Sequence, residues 1–211
     1  MKVFVSVTLV LLLLAALSFN EAQSQGLYIA NGFGGAVGYS NNNDVSVISG
    51  SVGYVASGIV EFGVGVAYSS ADEIDLNVIG VAPYVALYPV RQGRAVPVTA
   101  RIIGAYEFDS FSGDVVEGRD ISGHAIGLGG SIARSFRATP SVAIVPEIGV
   151  AYVRTTISGS FVSDTESTTA MTLALAFQFD AATTTVVLKP RMSLAEGDTA
   201  FGVSAIFGVG Q

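Results

Sequence analysis

The chain has 211 residues, of which 50% are hydrophobic and only 13% are charged. It has no cysteine, which excludes disulfide bonds, thiolate metal sites and a lipid-modified cysteine. The formal net charge of -7 argues against nucleic-acid binding, which needs a basic surface. This apolar content is high for a soluble protein, so the composition favours a membrane protein.

The first residues have the three parts of a secretory signal peptide. Lys2 supplies a positive charge, and residues 3–17 form an apolar run. Ala22-Gln23-Ser24 is a small-x-small cleavage site, so we expect residues 1–24 to be removed and the mature chain to begin at Gln25. A permanent helical anchor is the alternative, but the run is shorter than the about 20 residues that span a bilayer as a helix.

Residues 25–211 are predicted to form one domain of alternating segments separated by turn-forming residues. Each segment has the alternation of a β-strand, and many are 10 to 13 residues long, enough for a tilted crossing of a bilayer. In chain order the predicted strands are 27–39, 45–56, 59–68, 76–88, 95–108, 121–136, 142–155, 168–179, 184–194 and 199–209. The count is ten, with eight as the alternative if hairpins merge.

The third segment, IVEFGVGVAY, shows the pattern most clearly. Successive side chains of a strand point to opposite faces, so the large apolar residues share one face and the small residues share the other with one carboxylate. The first face holds Val60, Phe62, Val64, Val66 and Tyr68, and the second holds Glu61, Gly63, Gly65 and Ala67. An apolar outside around a small, partly polar inside is typical of a strand that faces lipid.

The connections between strands fall into two chemical classes. Those after odd strands are acidic, with Arg119 as their one base; their acids are Asp44, Asp72, Glu73, Asp75, Asp109, Asp114, Glu117, Asp120, Asp164, Glu166, Glu196 and Asp198. Those after even strands are shorter on average and carry Arg91, Arg94 and Arg137. Outer-membrane barrels have short periplasmic turns and longer outer loops, so the acidic loops are expected outside.

Aromatic residues lie at both ends of the predicted strands, on the apolar face. Tyr39, Tyr68 and Phe108 are at the loop ends of odd strands, whereas Tyr54, Phe136, Phe179 and Phe207 are near the turn ends of even strands. Two such groups are expected where a barrel meets the two membrane interfaces. They predict two aromatic belts.

At these residues the chain resembles the small bacterial outer-membrane β-barrels, namely the OmpA transmembrane domain, OmpX and the opacity-like proteins. The resemblance is one of pattern and implies a closed, antiparallel, up-and-down β-barrel in the outer membrane of a Gram-negative bacterium. It also implies outer-membrane lipid and the barrel assembly machinery as partners. Two features depart from the family: ten strands instead of eight, and a final residue, Gln211, that is not aromatic.

The inner face is predicted to hold three acids and three bases: Glu61, Arg101, Glu107, Glu147, Lys189 and Arg191. Buried charges must be paired or well solvated, so an ion-paired plug is the leading interpretation. The expected function is then structural, or a surface interaction through short acidic loops, in a monomer without a cofactor or metal. A narrow pore for small solutes or ions is the alternative.

An outer-membrane hydrolase is the third and weakest hypothesis. Asp120, Ser122 and His124 alternate onto one face, and His124 is the one histidine of the chain. Residues two apart on a strand are about 7 Å apart, too far for direct hydrogen bonds between short side chains. The protein is therefore predicted not to be an enzyme.

Overall fold

A computed structural model describes residues 25–42, 45–71, 75–116, 121–159, 162–195 and 198–210. The expected signal peptide, residues 1–24, lies outside these ranges, as does Gln211. In the described part of the chain, no helix has both the length and the apolar character needed to cross a membrane.

Strands make up most of the described chain. They are β1 Gly32–Asn42, β2 Val45–Ala56, β3 Val60–Ala71, β4 Leu76–Val90, β5 Thr99–Ser112, β6 Ile121–Ala133, β7 Phe136–Thr139, β8 Val142–Gly159, β9 Val162–Ala181, β10 Thr184–Ala195 and β11 Asp198–Gly210. A one-turn helix, α1, spans Gln25–Tyr28, and a 3-10 helix spans Asp114–Val116.

Ten of the described strands form a closed antiparallel ring. β1 pairs with β2 on one side and with β11 on the other, which closes the sheet. β6 pairs directly with β8, and β7 is a short extra strand outside the ring that pairs with the start of β8. The predicted ten-stranded, up-and-down barrel is confirmed, and the eight-stranded alternative is wrong.

We call the two rims of the barrel the loop end and the turn end. The loop end carries the connections after β1, β3, β5, β8 and β10; the turn end carries those after β2, β4, β9 and the β6–β7–β8 region. The chain enters β1 at the turn end, and β11 finishes there.

The alternation of side chains places the large apolar residues outside. Val64, Val66 and Tyr68 are 38%, 53% and 45% exposed, whereas Glu61 on the same strand is 0% exposed. The same division continues around the ring, with Leu175 and Val203 outside and Ala176 and Ser204 inside. A barrel with this outer surface needs an apolar solvent, because water would wet an apolar patch far larger than soluble proteins expose.

The first predicted strand is wrong over residues 27–31. Gln25–Tyr28 forms α1, and Tyr28 and Ile29 are buried inside the barrel, although strand alternation over 27–39 places Leu27 and Ile29 on the lipid face with Phe33 and Tyr39. The Ile29 N–H donates to the Gln25 carbonyl, which closes one helical turn. Ile29 packs against Gly208, and a side chain at position 208 would collide with it.

The predicted strand 121–136 is also interrupted. β6 ends at Ala133, and Phe136 belongs to β7. The Ser135 N–H donates to Gln92 Oε1 at 2.6 Å, and the Gln92 side-chain amide donates back to the Ser135 carbonyl at 2.9 Å. This exchange with a side chain takes the backbone of Ser135 out of the sheet.

Several strands run further toward the loop end than predicted. Residues 156–167 were expected to be mainly a loop, but they extend the β8–β9 hairpin, with Ile157 opposite Asp164 and Gly159 opposite Val162. β5 continues to Ser112, which places Asp109 in a strand and not in a loop. The start of β5 moves the other way, to Thr99 instead of residue 95.

A proline within a strand interrupts the hydrogen-bond ladder or lies where none is needed, because proline has no N–H to donate. The β4–β5 pairing skips residues 82–83, beside Pro83, and the β9–β10 pairing skips residues 189–190, beside Pro190. Pro146 pairs with Leu175 where β6 has already ended, and Pro97 lies before β5. The side chains of Pro83, Pro146 and Pro190 point outward.

The interior is more apolar near the loop end than the sequence pattern predicts. We define the apolar layer as a set of buried side chains that pack together there: Val45, Val47, Leu76, Val78, Val116, Val153 and Ile157. Val116 lies in the 3-10 helix, and the others occupy the inner face of their strands. The expected small and partly polar inside therefore describes the middle of the barrel but not its loop end.

Candidate functional site

All six charged residues predicted to line the lumen lie inside the barrel. Each is buried, with at most 8% of its surface exposed. Three of them meet at a central ion-paired cluster, and one is held by tyrosines. Arg191 lines a cavity beside the central cluster, and Glu107 lies elsewhere on the wall.

The central cluster is built around Glu147 on β8. Arg101 on β5 approaches Glu147 Oε1 with its Nη2 at 3.4 Å, and Lys189 on β10 places its Nζ 2.5 Å from Oε2. Neither β5 nor β10 is a neighbour of β8 in the ring. The ion pairs therefore cross the lumen and join parts of the wall that share no backbone ladder.

Burial makes this cluster sensitive to change. The three side chains are no more than 8% exposed, so each charge has lost most of its water. Removing one partner of a buried pair typically costs about 3 to 5 kcal/mol, because the other charge is left without compensation.

Glu61 on β3 has a different set of partners. The hydroxyls of Tyr84 and Tyr88, both on β4, donate to its two carboxylate oxygens at 3.0 and 2.5 Å. The Gly26 N–H of α1 donates to Oε2 at 2.8 Å. Glu61 is 0% exposed, so three neutral donors replace its water and tie α1 to the barrel wall.

A row of glycines makes room for this second cluster. Gly34, Gly53 and Gly63 are register neighbours on β1, β2 and β3, and all face the lumen. A β-carbon on Gly53 would lie 2.7 Å from the Tyr84 hydroxyl oxygen, and one on Gly34 would lie 2.7 Å from Gln25 Oε1. Because these three residues have no side chain, the Gln25 and Tyr84 side chains can pack directly against the backbone of β1, β2 and β3.

The other two predicted lumen charges are Glu107, which lies apart from the central cluster, and Arg191, which lines the cavity beside it. Glu107 is beside Asp109 on the inner face of β5, over Gly80, and within the described residues its Oε2 has no hydrogen-bond partner. Arg191 on β10 lies over Gly202, close to Ser40. Glu107 and Arg191 are not brought together.

A small cavity of about 20 Å³ lies beside the central cluster. Its lining includes Arg101, Glu147, Lys189 and Arg191. A cavity of this size holds about one water molecule.

Sequence reasoning missed Gln25, Gly26, Tyr84 and Tyr88 as members of the site. Alternation along β4 points Tyr84 and Tyr88 inward, so the sequence contained a signal for two phenols that could donate to a buried acid. The role of Gln25 and Gly26 had no local signal, because a single helical turn leaves no periodic pattern.

His124 lies on the outer face of the barrel. Its ring stacks on Tyr106, with centroids 5.8 Å apart and planes at 8°. Ser122 is exposed on the same face and Asp120 lies outside the described residues. Among the residues that are described, His124 makes no hydrogen bond with Ser122, and no group of three or more His, Asp and Glu is arranged to hold a metal. The geometry gives the hydrolase hypothesis no support.

The residues of the predicted aromatic belts lie on the outer face. Tyr39, Tyr68 and Phe108 are near the loop end, and Tyr54, Phe136, Phe179 and Phe207 are near the turn end, with Phe136 on β7. Phe33 and Phe62 add to the second group, because both contact Tyr54, at 4.8 and 5.7 Å between ring centroids. The Tyr68 hydroxyl donates to Asn77 Oδ1 at 2.8 Å, so this side chain is apolar along its ring and polar at its tip.

The two rims differ in charge. At the loop end Asp75, Asp114, Asp164 and Asp198 are exposed, whereas Asp44, Asp72, Glu73, Glu117, Arg119, Asp120 and Glu196 lie outside the described residues. At the turn end Arg91 donates to the Gly58 carbonyl at 2.6 Å, and Arg137 pairs with Asp180 at 3.2 Å.

No known protein family matches the sequence, and no curated protein matches it. Solved structures match in fold: the β-domain of the Bordetella autotransporter BrkA aligns with a TM-score of 0.54 at 14% identity, covering 86% of this chain and 99% of that one. The translocator domain of the autotransporter NalP from Neisseria meningitidis aligns with a TM-score of 0.50 at 10% identity, covering 84% and 88%.

CdiB from Acinetobacter baumannii aligns with a TM-score of 0.46 at 9% identity over 85% of this chain, which spans only 35% of that protein. At identities this low the likeness is one of fold alone. The predicted resemblance to outer-membrane β-barrels is confirmed at that level: the chain is similar in fold to barrels of bacterial outer membranes.

Proposed function

We propose that the protein is a monomeric β-barrel of a bacterial outer membrane whose lumen is closed. It acts as a structural or surface-interaction protein that presents short acidic loops to the outside. The proposal is carried by the ion pairs of Arg101, Glu147 and Lys189, which join non-neighbouring strands across the interior. The hydrogen bonds of Glu61, which hold α1 inside the lumen, support it.

The closure has two layers with different chemistry. Near the loop end the apolar layer fills the interior with branched side chains, which exclude water. In the middle, buried charges and phenols bond to one another, and the cavity beside the central cluster is small, about 20 Å³. A hydrated ion needs a continuous polar path, so the arrangement favours a closed barrel over the alternative of a narrow pore.

The charge difference between the rims supports the orientation. The acidic loop end has the longer strands, with the β8–β9 hairpin reaching Gly159 and Val162. Outer-membrane barrels carry longer segments outside and short turns inside. With the loop end outside, both ends of the barrel chain lie in the periplasm, and the exposed aspartates form the surface available to partners.

The proposal is tested by fractionation of cells that express the whole chain, followed by protease treatment of intact cells. We expect the protein in the outer-membrane fraction, with cleavage confined to the loop-end connections. A purified barrel in liposomes is expected to exclude small sugars. Recovery in the soluble fraction, cleavage at the turn end of intact cells, or rapid sugar uptake would contradict the proposal.

A further inference from the structure

The start of the described chain lies inside the lumen. α1 leads away from Gly32 at the turn end, and Gln25 is 0% exposed. Its Nε2 lies 3.4 Å from Ser51 Oγ, and its Oε1 lies against Gly34 and Gly53 on the wall. The backbone nitrogen of Gln25 is therefore carried into the barrel with the rest of α1.

Glu61, the acid that binds α1, lacks a cationic contact. Its hydrogen bonds come from Gly26, Tyr84 and Tyr88, all of which are neutral donors. Among the described residues, the lumen ion pairs converge on Glu147, and no lysine or arginine nitrogen reaches Glu61 within ion-pair distance. The positive charges of Arg91 and Arg101 attract the Glu61 carboxylate from beyond ion-pair distance. A carboxylate buried this completely is costly without a paired charge.

We propose that Glu61 is the docking site for the α-ammonium group that signal-peptide cleavage creates on Gln25. Hydrolysis of the Ser24–Gln25 peptide bond consumes one water, leaves a carboxylate on Ser24, and leaves an amine on Gln25 that takes up a proton. That nitrogen is one residue before the Gly26 N–H, which is 2.8 Å from Glu61 Oε2. The inference rests on the proposed closed lumen and adds a maturation step to it.

The consequence is that cleavage completes the plug. In the uncleaved chain the Gln25 nitrogen is a neutral amide and cannot pair with Glu61. After cleavage the ammonium and carboxylate neutralise each other in the interior and fix α1 against β3. Charge-assisted hydrogen bonds of this kind are about twice as strong as neutral ones.

A competing reaction gives the proposal a chemical test. A free N-terminal glutamine can cyclise: the α-nitrogen attacks the side-chain Cδ, a lactam C–N bond forms, and ammonia leaves. The reaction needs an unprotonated amine with a lone pair, and pairing with Glu61 keeps the amine protonated. The mature protein is therefore expected to have an open Gln25 without loss of ammonia, and N-terminal sequencing and mass spectrometry measure this directly.

A double-mutant cycle tests the pair itself. The four proteins are the mature barrel, a barrel with one alanine added before Gln25, Glu61→Gln, and the combination. Both single changes are expected to lower the unfolding midpoint in denaturant, and the combination is expected to lower it by clearly less than the sum, because both changes remove the same contact. A serine inserted after Gly93, which lies in open space at the turn end, controls for added length.

Glu107→Gln is the matched control for the loss of a buried carboxylate, and its effect is expected to add to that of the alanine extension. If Glu61→Gln does not refold, labelling with an amine-acylating reagent replaces the cycle: the α-amine is expected to react at least several-fold more slowly in the mature barrel than in the extended one. A different N-terminal residue, a lactam, additive effects for Glu61→Gln, or equal labelling would overturn the proposal. Additivity in a barrel that stays closed overturns this inference alone, whereas a conducting wild-type barrel overturns the proposed function.

Discussion

Lys189 Nζ lies 2.5 Å from Glu147 Oε2, although β9 separates their strands in the ring. Arg101 reaches the other oxygen of the same carboxylate from β5, with β6 between. Glu147 thus pairs with two bases and joins β5, β8 and β10, which share no backbone ladder with one another.

Glu147→Gln should destabilise the barrel. The change leaves Arg101 and Lys189 facing each other without an anion, and we expect a loss of about 3 to 5 kcal/mol in the free energy of unfolding, less if water enters the lumen. Denaturant unfolding in lipid vesicles measures the loss. Arg137→Ala is the control, because the Arg137 side chain is exposed and its pair with the partly exposed Asp180 should contribute at most about 1 kcal/mol. Equal effects of the two changes would contradict the assigned role of Glu147.

Val64→Arg should destabilise the barrel by about 2 to 4 kcal/mol, the cost of an arginine facing the middle of a bilayer. Val64 is on the outer face of β3, paired with Val52 and Pro83 on neighbouring strands. Leu175→Arg on β9 should behave in the same way. Thr165→Arg, on an exposed residue of the β8–β9 hairpin, should have little effect. Refolding of Val64→Arg into lipid with unchanged stability would show that this face does not contact lipid.

Single tryptophans can report depth without background, because the chain has no tryptophan. Tryptophan at Val64 should be quenched by lipids brominated deep in their chains, whereas tryptophan at Tyr68 should be quenched best by shallow bromines. Tryptophan at Thr165 should escape both. The order follows from the position of Tyr68 at the loop end of β3, where its hydroxyl bonds to Asn77. Equal quenching at Val64 and Thr165 would contradict the membrane position.

Gly53→Ala should disturb the Glu61 cluster. The new methyl group would lie 2.7 Å from the Tyr84 hydroxyl oxygen, so Tyr84 must move away from Glu61, at a cost of about 1 to 3 kcal/mol. Removing that hydroxyl with Tyr84→Phe should recover part of the loss in the double variant. Gly50→Ala, on the outer face of the same strand with contacts of 3.7 Å or more, is the control. Absence of any rescue would place the strain elsewhere, at the Phe62 carbonyl 3.1 Å away.

Much of the barrel is predictable because one physical rule governs every strand. Side chains alternate between lipid and lumen, so Val64 and Leu175 could be placed outside, and Glu61 and Glu147 inside, from parity alone. The rule fails at Leu27 and Ile29. Their spacing continues that of β1, yet an apolar side chain also packs well inside the barrel, so parity cannot distinguish a strand from a turn of helix folded back into the lumen.

The pairing inside the lumen was not predictable for a related reason. Which charges meet depends on the stagger of strands that are not neighbours, such as β5, β8 and β10, and alternation carries no information on stagger. The sequence therefore identified Arg101, Glu147 and Lys189 as inward residues without indicating that they share one contact. Parity places Tyr84 and Tyr88 on the inner face with Glu61, but it does not show that Glu61 bonds to them and to α1 instead of a base.

Single-channel recording of the wild-type mature protein in planar lipid bilayers tests the closed lumen most directly. Arg101→Ala and Arg191→Ala serve as reference proteins with a wider lumen, because each removes a bulky side chain from the lining of the central cavity. We predict that the wild-type barrel inserts without steady current, and that the references show more frequent or larger openings. Steady, large currents from the wild-type protein would contradict the closed barrel and establish a pore in its place.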